Sequence, residues 1–102
     1  MKLICFDPAK TKYVTVGEIE GTNLIKEVEP KHFMRVLQGY GIQEIAFEEL
    51  IEKGIKNIIL KEKLTGKKWQ AKIKDWLEHG RVADYGHGKQ RFLSLKFMKL
   101  TS

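Results

Sequence analysis

The sequence predicts an α+β fold: a small antiparallel or mixed β-sheet of about five to six strands, with two central α-helices packed on one side. Three observations carry this. Apolar and polar residues alternate with period two near both ends of the chain, helical spacing is confined to residues 31–53, and glycine or proline punctuates the segments. At 102 residues and 42% hydrophobic content, the chain has the size and apolar fraction of a single domain spanning residues 1–102.

Lys2–Phe6 reads as the first strand, and Asp7-Pro8-Ala9-Lys10 as a turn whose second position suits the fixed φ of proline. Lys12–Ile19 alternates Tyr13 and Thr15 with Val14 and Val16, a second strand that pairs with the first as a hairpin. Gly21-Thr22-Asn23 turns the chain into a third strand, Leu24–Val28. Pro30 then marks a break and a helix start. Lys31–Gln38 holds Phe33, Val36 and Leu37 at helical spacing, and Gly39-Tyr40-Gly41 ends that helix. The second helix, Gln43–Lys53, aligns Ile42, Ile45, Ala46, Leu50 and Ile51, opens on Glu44 and closes on Lys53 and Gly54.

Past Gly54 the period becomes extended again. Ile55–Leu64 is rich in β-branched residues and Leu64-Thr65-Gly66 signals a tight turn. The return strand, Lys67–Lys74, alternates Trp69, Ala71 and Ile73 with Lys68, Gln70, Lys72 and Lys74. Asp75 reads as the N-cap of one helical turn, Trp76–His79. Residues 81–91 read as a glycine-bearing loop, and Arg91–Leu100 as a final strand with Leu93, Leu95 and Phe97 on one face.

The charge is divided unevenly. Residues 1–51 carry six Lys+Arg against eight Asp+Glu, a net of −2, whereas residues 52–102 carry thirteen against five, a net of +8. Such asymmetry points to a polyanionic partner. Its first candidate site is the basic hairpin, where Lys68, Lys72 and Lys74 share the face opposite Trp69, with Lys61 and Lys63 joining them from the preceding strand. Phosphate contact by such a face is driven by counterion release, while a solvated face that blocks edge pairing is the structural alternative. The second candidate is the loop 81–91, which gathers Tyr85, His87, Lys89 and Arg91 around Gly86 and Gly88. Backbone N–H groups, cations and a ring in one loop suit an anion or a nucleotide, and simple turn geometry is the alternative.

Other chemistries find less support. The loop is not a phosphate-binding P-loop, because Ala83 and Gln90 stand where glycine and a hydroxyl residue are needed. His79, Asp84 and His87 lie close in sequence without the spacing of a compact metal motif. A nuclease needs clustered carboxylates, and Asp7 is followed by Pro8 in an ordinary turn with no second acid placed beside it. The helix pair has helix-turn-helix spacing, but Glu44, Glu48, Glu49 and Glu52 on Gln43–Lys53 repel phosphate. The one cysteine, Cys5, sits in the apolar run Leu3-Ile4-Cys5-Phe6 and reads as a buried hydrophobe. No apolar run is long enough for a membrane span and no secretory signal pattern is present, so the expected location is the cytoplasm.

The residues therefore favour a non-enzymatic nucleic-acid-binding domain that contacts mainly the backbone, with no cofactor, no metal and no membrane partner. A protein-interaction module or homo-oligomer, pairing the acidic helix with the basic hairpin, is the alternative. A small metal-dependent nuclease is the third reading.

Overall fold

The computed structural model describes every residue except 9, 30–38, 85, 87 and 102. Three strands open the chain: β1 (Lys2–Asp7), β2 (Lys12–Glu20) and β3 (Asn23–Val28). Next come β4 (Gly39–Gln43), α1 (Glu44–Glu52), β5 (Asn57–Glu62), β6 (Lys68–Lys72) and α2 (Ile73–His79). The chain ends with β7 (Arg81–Asp84), β8 (Lys89–Ser94), a 3₁₀ turn at Leu95–Phe97, and β9 (Lys99–Thr101).

These nine strands form two sheets, one of six strands in the order β1-β2-β3-β5-β6-β9 and one of three in the order β4-β8-β7. That overturns the single sheet of five to six strands with two central helices. Strand residues dominate, and the helices are short. Of the two predicted helices, Gln43–Lys53 forms as α1, while Lys31–Gln38 lies outside the described residues.

Three local readings change for physical reasons. Gly39-Tyr40-Gly41 is strand β4, paired antiparallel with β8, and its glycines serve close approach to that neighbour. A Cβ on Gly39 would lie 2.2 Å from the Leu93 carbonyl oxygen, and one on Gly41 would lie 2.4 Å from the Phe92 ring. The predicted loop 81–91 is the hairpin β7–β8, with Gly86 and Gly88 at positive φ in its connection. The predicted strand Arg91–Leu100 breaks after Ser94, whose hydroxyl accepts from the Lys96 backbone N–H. The 3₁₀ turn then carries the chain from the small sheet to the edge of the large one. Similarly α2 begins at Ile73, so Ile73 and Lys74 leave the strand.

The first hairpin is as expected, with one irregularity. Leu3 pairs with Gly17 and Ile4 with Thr15, leaving Val16 as the extra residue of a β-bulge. The bulge turns Val16 into the core and frees its carbonyl, which accepts from Lys26 Nζ at 3.0 Å. Burial, with the charge of Lys10 adding to it, lowers the Lys26 pKa. Joining β3 to β5 is the parallel pairing of the large sheet, and the crossover between them includes β4 and α1.

One face of the large sheet carries the core. Leu24 and Val28 of β3 and Ile58 and Leu60 of β5 cluster with Ala46, Phe47 and Leu50 of α1, Trp76 of α2, Ile42 of β4 and Leu93 of β8. The helices and the small sheet therefore lie against a single face, leaving the other face of the six-stranded sheet to alternate outward.

Candidate nucleic-acid interface

The pairing of β5, β6 and β9 decides which lysines meet. Lys61 stands directly across from Lys68, Asn57 across from Lys72, and Gln70 across from Lys99. All four lysines are exposed and have the parity opposite to buried Ile58, Leu60 and Ala71, so they project from the outer face. Along β6 the outward residues Lys68, Gln70 and Lys72 follow at about 6.6 Å intervals, twice the strand rise. None of the four forms an ion pair with a described residue, although Glu27 stands beside Lys61 in the β3 register. Like charges directly opposite on a sheet are destabilising. The Lys61–Lys68 pair therefore favours any anion that settles between them.

Two predicted hairpin lysines fall elsewhere. Lys63 follows the end of β5, where its backbone N–H donates to the Val28 carbonyl and its Nζ lies 3.4 Å from Glu29. Lys74 sits in the first turn of α2, exposed at the rim of a groove. Lys99 joins the cluster without having been singled out. Reading Arg91–Leu100 as one strand gave Lys99 the parity of Leu93 and Phe97, and the 3₁₀ turn resets that parity.

The 81–91 candidates divide as well. Tyr85 and His87 lie outside the described residues. Lys89 is exposed opposite Asp84, whose carboxylate accepts from the Gly86 backbone N–H at 2.8 Å. Arg91 is held in a two-pronged ion pair: its Nε donates to Glu44 Oε2 and its second guanidinium nitrogen to Glu44 Oε1, both at 2.8 Å. The hydrogen bonds from Arg91 to Glu44 raise the Arg91 pKa against the opposing cost of burial. The guanidinium also lies 5.6 Å from the centroid of the Phe47 ring. Arg91 thus faces α1 on the core side of the large sheet, and Lys89 shares its parity on β8. The hairpin lysines face the other way.

The acidic candidates are dispersed. Asp7 is 4% exposed and belongs to the inner face of β1. His79 stacks on Phe97 with ring centroids 4.4 Å apart, Asp84 is on β7, and no group of three ligand-bearing side chains among the described residues contains both. Ligand atoms of Asp75, Glu78 and His79 fall within 4.8 Å of one another, a proximity that helical i, i+3 and i+4 spacing produces on its own.

No family model, curated protein or solved structure matches the chain. Among the described residues, no helix is long and apolar enough to cross a membrane. The outer face also bears an exposed aromatic pair, Phe6 and Tyr13, paired across β1 and β2 with an edge-on contact of 5.3 Å. Their shared parity was legible once the hairpin register was known.

Proposed function

We propose that the chain is a cytoplasmic, non-enzymatic nucleic-acid-binding protein whose contact surface is the outer face of β5, β6 and β9. The observation that carries this reading is the set of Lys61, Lys68, Lys72 and Lys99 on one open sheet face, none neutralised by a described ion-pair partner. The face contributes nothing to the core, so its side chains are free to meet phosphates. Gln70 and Thr101 on the same face add neutral hydrogen-bonding groups. Lys89 has the parity of Arg91 on β8 and is not part of this face, and Arg91 is committed to Glu44. Readout is of the backbone, because lysines on a flat sheet supply point charges and no groove-reading element.

Fluorescence anisotropy with single- and double-stranded oligonucleotides at rising salt tests this. Four phosphate contacts give a log–log salt slope of about −3 to −4. The Lys61→Gln/Lys68→Gln variant is expected to halve that slope and weaken binding to every sequence alike. Absence of binding at about 50 mM salt, or binding that the double variant leaves unchanged, would overturn the proposal.

A further inference from the structure

Where the C-terminal end of α1 meets α2, the surface opens into a groove of about 800 Å³. Ile55 and Ile73 form its buried floor, while Ile51 and Leu77 stand at its lips with 54% and 42% of their surface exposed. Lys56, Lys72 and Lys74 rim it together with Glu78, so the rim is cationic on balance. The apolar lining and triple lysine rim fit an occupant that is both apolar and acidic.

Such an element lies on the same surface. The outward side of α1 presents Ile45, 46% exposed, together with exposed Glu48 and Glu52. Glu48 lies three residues before Ile51 and Glu52 directly after it, so the acidic strip adjoins the groove lip. Acidic half, apolar middle and basic half thus form one continuous patch. A two-fold axis through the middle of such a patch lays the acidic half of each copy over the basic half of the other, which is the requirement for a closed, self-complementary contact.

We propose that the chain forms a two-fold homodimer in which the Glu48 and Glu52 side of α1 in each copy sits against the lysine-rimmed groove of the other. Ile51 and Leu77 supply the apolar centre, and Ile45 lies at the outer end of the acidic half. The net charge of +6 makes two copies repel at long range, so the contact depends on local pairing and the dimer is weak, forming in the micromolar range or above. This contact shares Lys72 with the nucleic-acid reading but uses neither Lys61 nor Lys68, and its test variants leave all three in place.

Sedimentation equilibrium from micromolar to millimolar protein, at an ionic strength of about 0.15 M, should show a monomer–dimer equilibrium. Leu77→Glu, on an exposed side chain, should leave the fold intact by circular dichroism and raise the dissociation constant by about 100-fold or more. The decisive arm uses two charge-reversed chains. Glu48→Lys/Glu52→Lys turns the acidic half basic, and Lys56→Glu/Lys74→Glu reverses two of the three rim lysines. Each alone should be monomeric, and an equimolar mixture should form heterodimers. A wild-type monomer at millimolar concentration would overturn the proposal, including one that instead takes up an acidic amphipathic peptide. So would a dimer indifferent to Leu77→Glu, or a mixture of the reversed chains that stays monomeric.

Discussion

Arg91 on β8 and Lys68 on β6 are both cations on antiparallel strands, yet the fold uses them in opposite ways. Arg91 is enclosed, with 17% of its side chain exposed, and holds Glu44 through two parallel hydrogen bonds. Lys68 is open to solvent and faces another lysine. The rigid planar fork of arginine suits a fixed carboxylate, while the flexible ammonium of lysine suits a mobile or exchangeable anion. A cation's contribution therefore follows from which sheet face it occupies, and the basic half of the chain contains both kinds.

Removing the enclosed cation should have the largest effect. Arg91→Ala leaves the Glu44 carboxylate, 31% exposed, without its two charge-assisted donors, and it also removes packing over Phe47. A loss of about 2 to 3 kcal/mol is expected. Arg91→Lys should recover only part of it, because the charge returns without the fork. Urea denaturation of the two variants measures this. Equal stability of wild type and Arg91→Ala would dissolve the distinction between enclosed and open cations.

The next effect probes the same enclosed sheet through pH. Burial pushes the Tyr40 phenol on β4 up to about 12. An unfolded tyrosine titrates near 10. The folded chain thus keeps a proton that the unfolded chain releases between about pH 10 and 12, and stability falls as pH rises through that window. With partial exposure discounted, the loss is about 2 kcal/mol across it. Lys26 acts in the opposite sense at lower pH. Its lowered pKa means that the unfolded chain binds more protons until about 10.5, so its contribution rises with pH up to there. Lys26 is common to wild type and Tyr40→Phe, so the difference between their urea midpoints from pH 10.5 to 11.5 isolates the phenol. Wild type should lose stability faster than Tyr40→Phe, and equal slopes would place Tyr40 on the open side of the comparison.

The enclosed and open regions also differed in how far the sequence revealed them. Strands with clean alternation, such as Lys2–Phe6 and the Trp69/Ala71 run, were legible because period two states both the element and its inward face. That parity grouped Lys61, Lys63, Lys68, Lys72 and Lys74, and only the ends of β5 and β6 separate Lys63 and Lys74 from the other three. Gly39-Tyr40-Gly41 was not legible, since the need for glycine arises from the Leu93 backbone more than fifty residues away. Nor was the second sheet. Arg81–Asp84 is a short, mostly exposed edge strand with no alternation to read, and only its pairing with β8 defines it. The Arg91–Glu44 pair spans 47 residues and depends on α1 following β4 directly. The fate of Arg91 was therefore hidden along with the sheet that carries it.

The smallest expected effect lies on the open face, and its sign matters more than its size. In an isolated protein Lys61 and Lys68 oppose each other, so Lys68→Gln should leave stability unchanged or raise it by a few tenths of a kcal/mol. An enclosed cation cannot give that result. Adding an oligonucleotide should then separate the chains further: a ligand bound only by the folded state raises Tm by mass action. Wild type should gain stability at low salt and lose the gain at high salt, whereas Lys61→Gln/Lys68→Gln should gain far less at low salt and match wild type at high salt. A Lys68→Gln variant that is clearly destabilised without any anion would mean that Lys68 already has a structural partner. The outer face would then be another enclosed surface, and the case for phosphate binding there would fail with it.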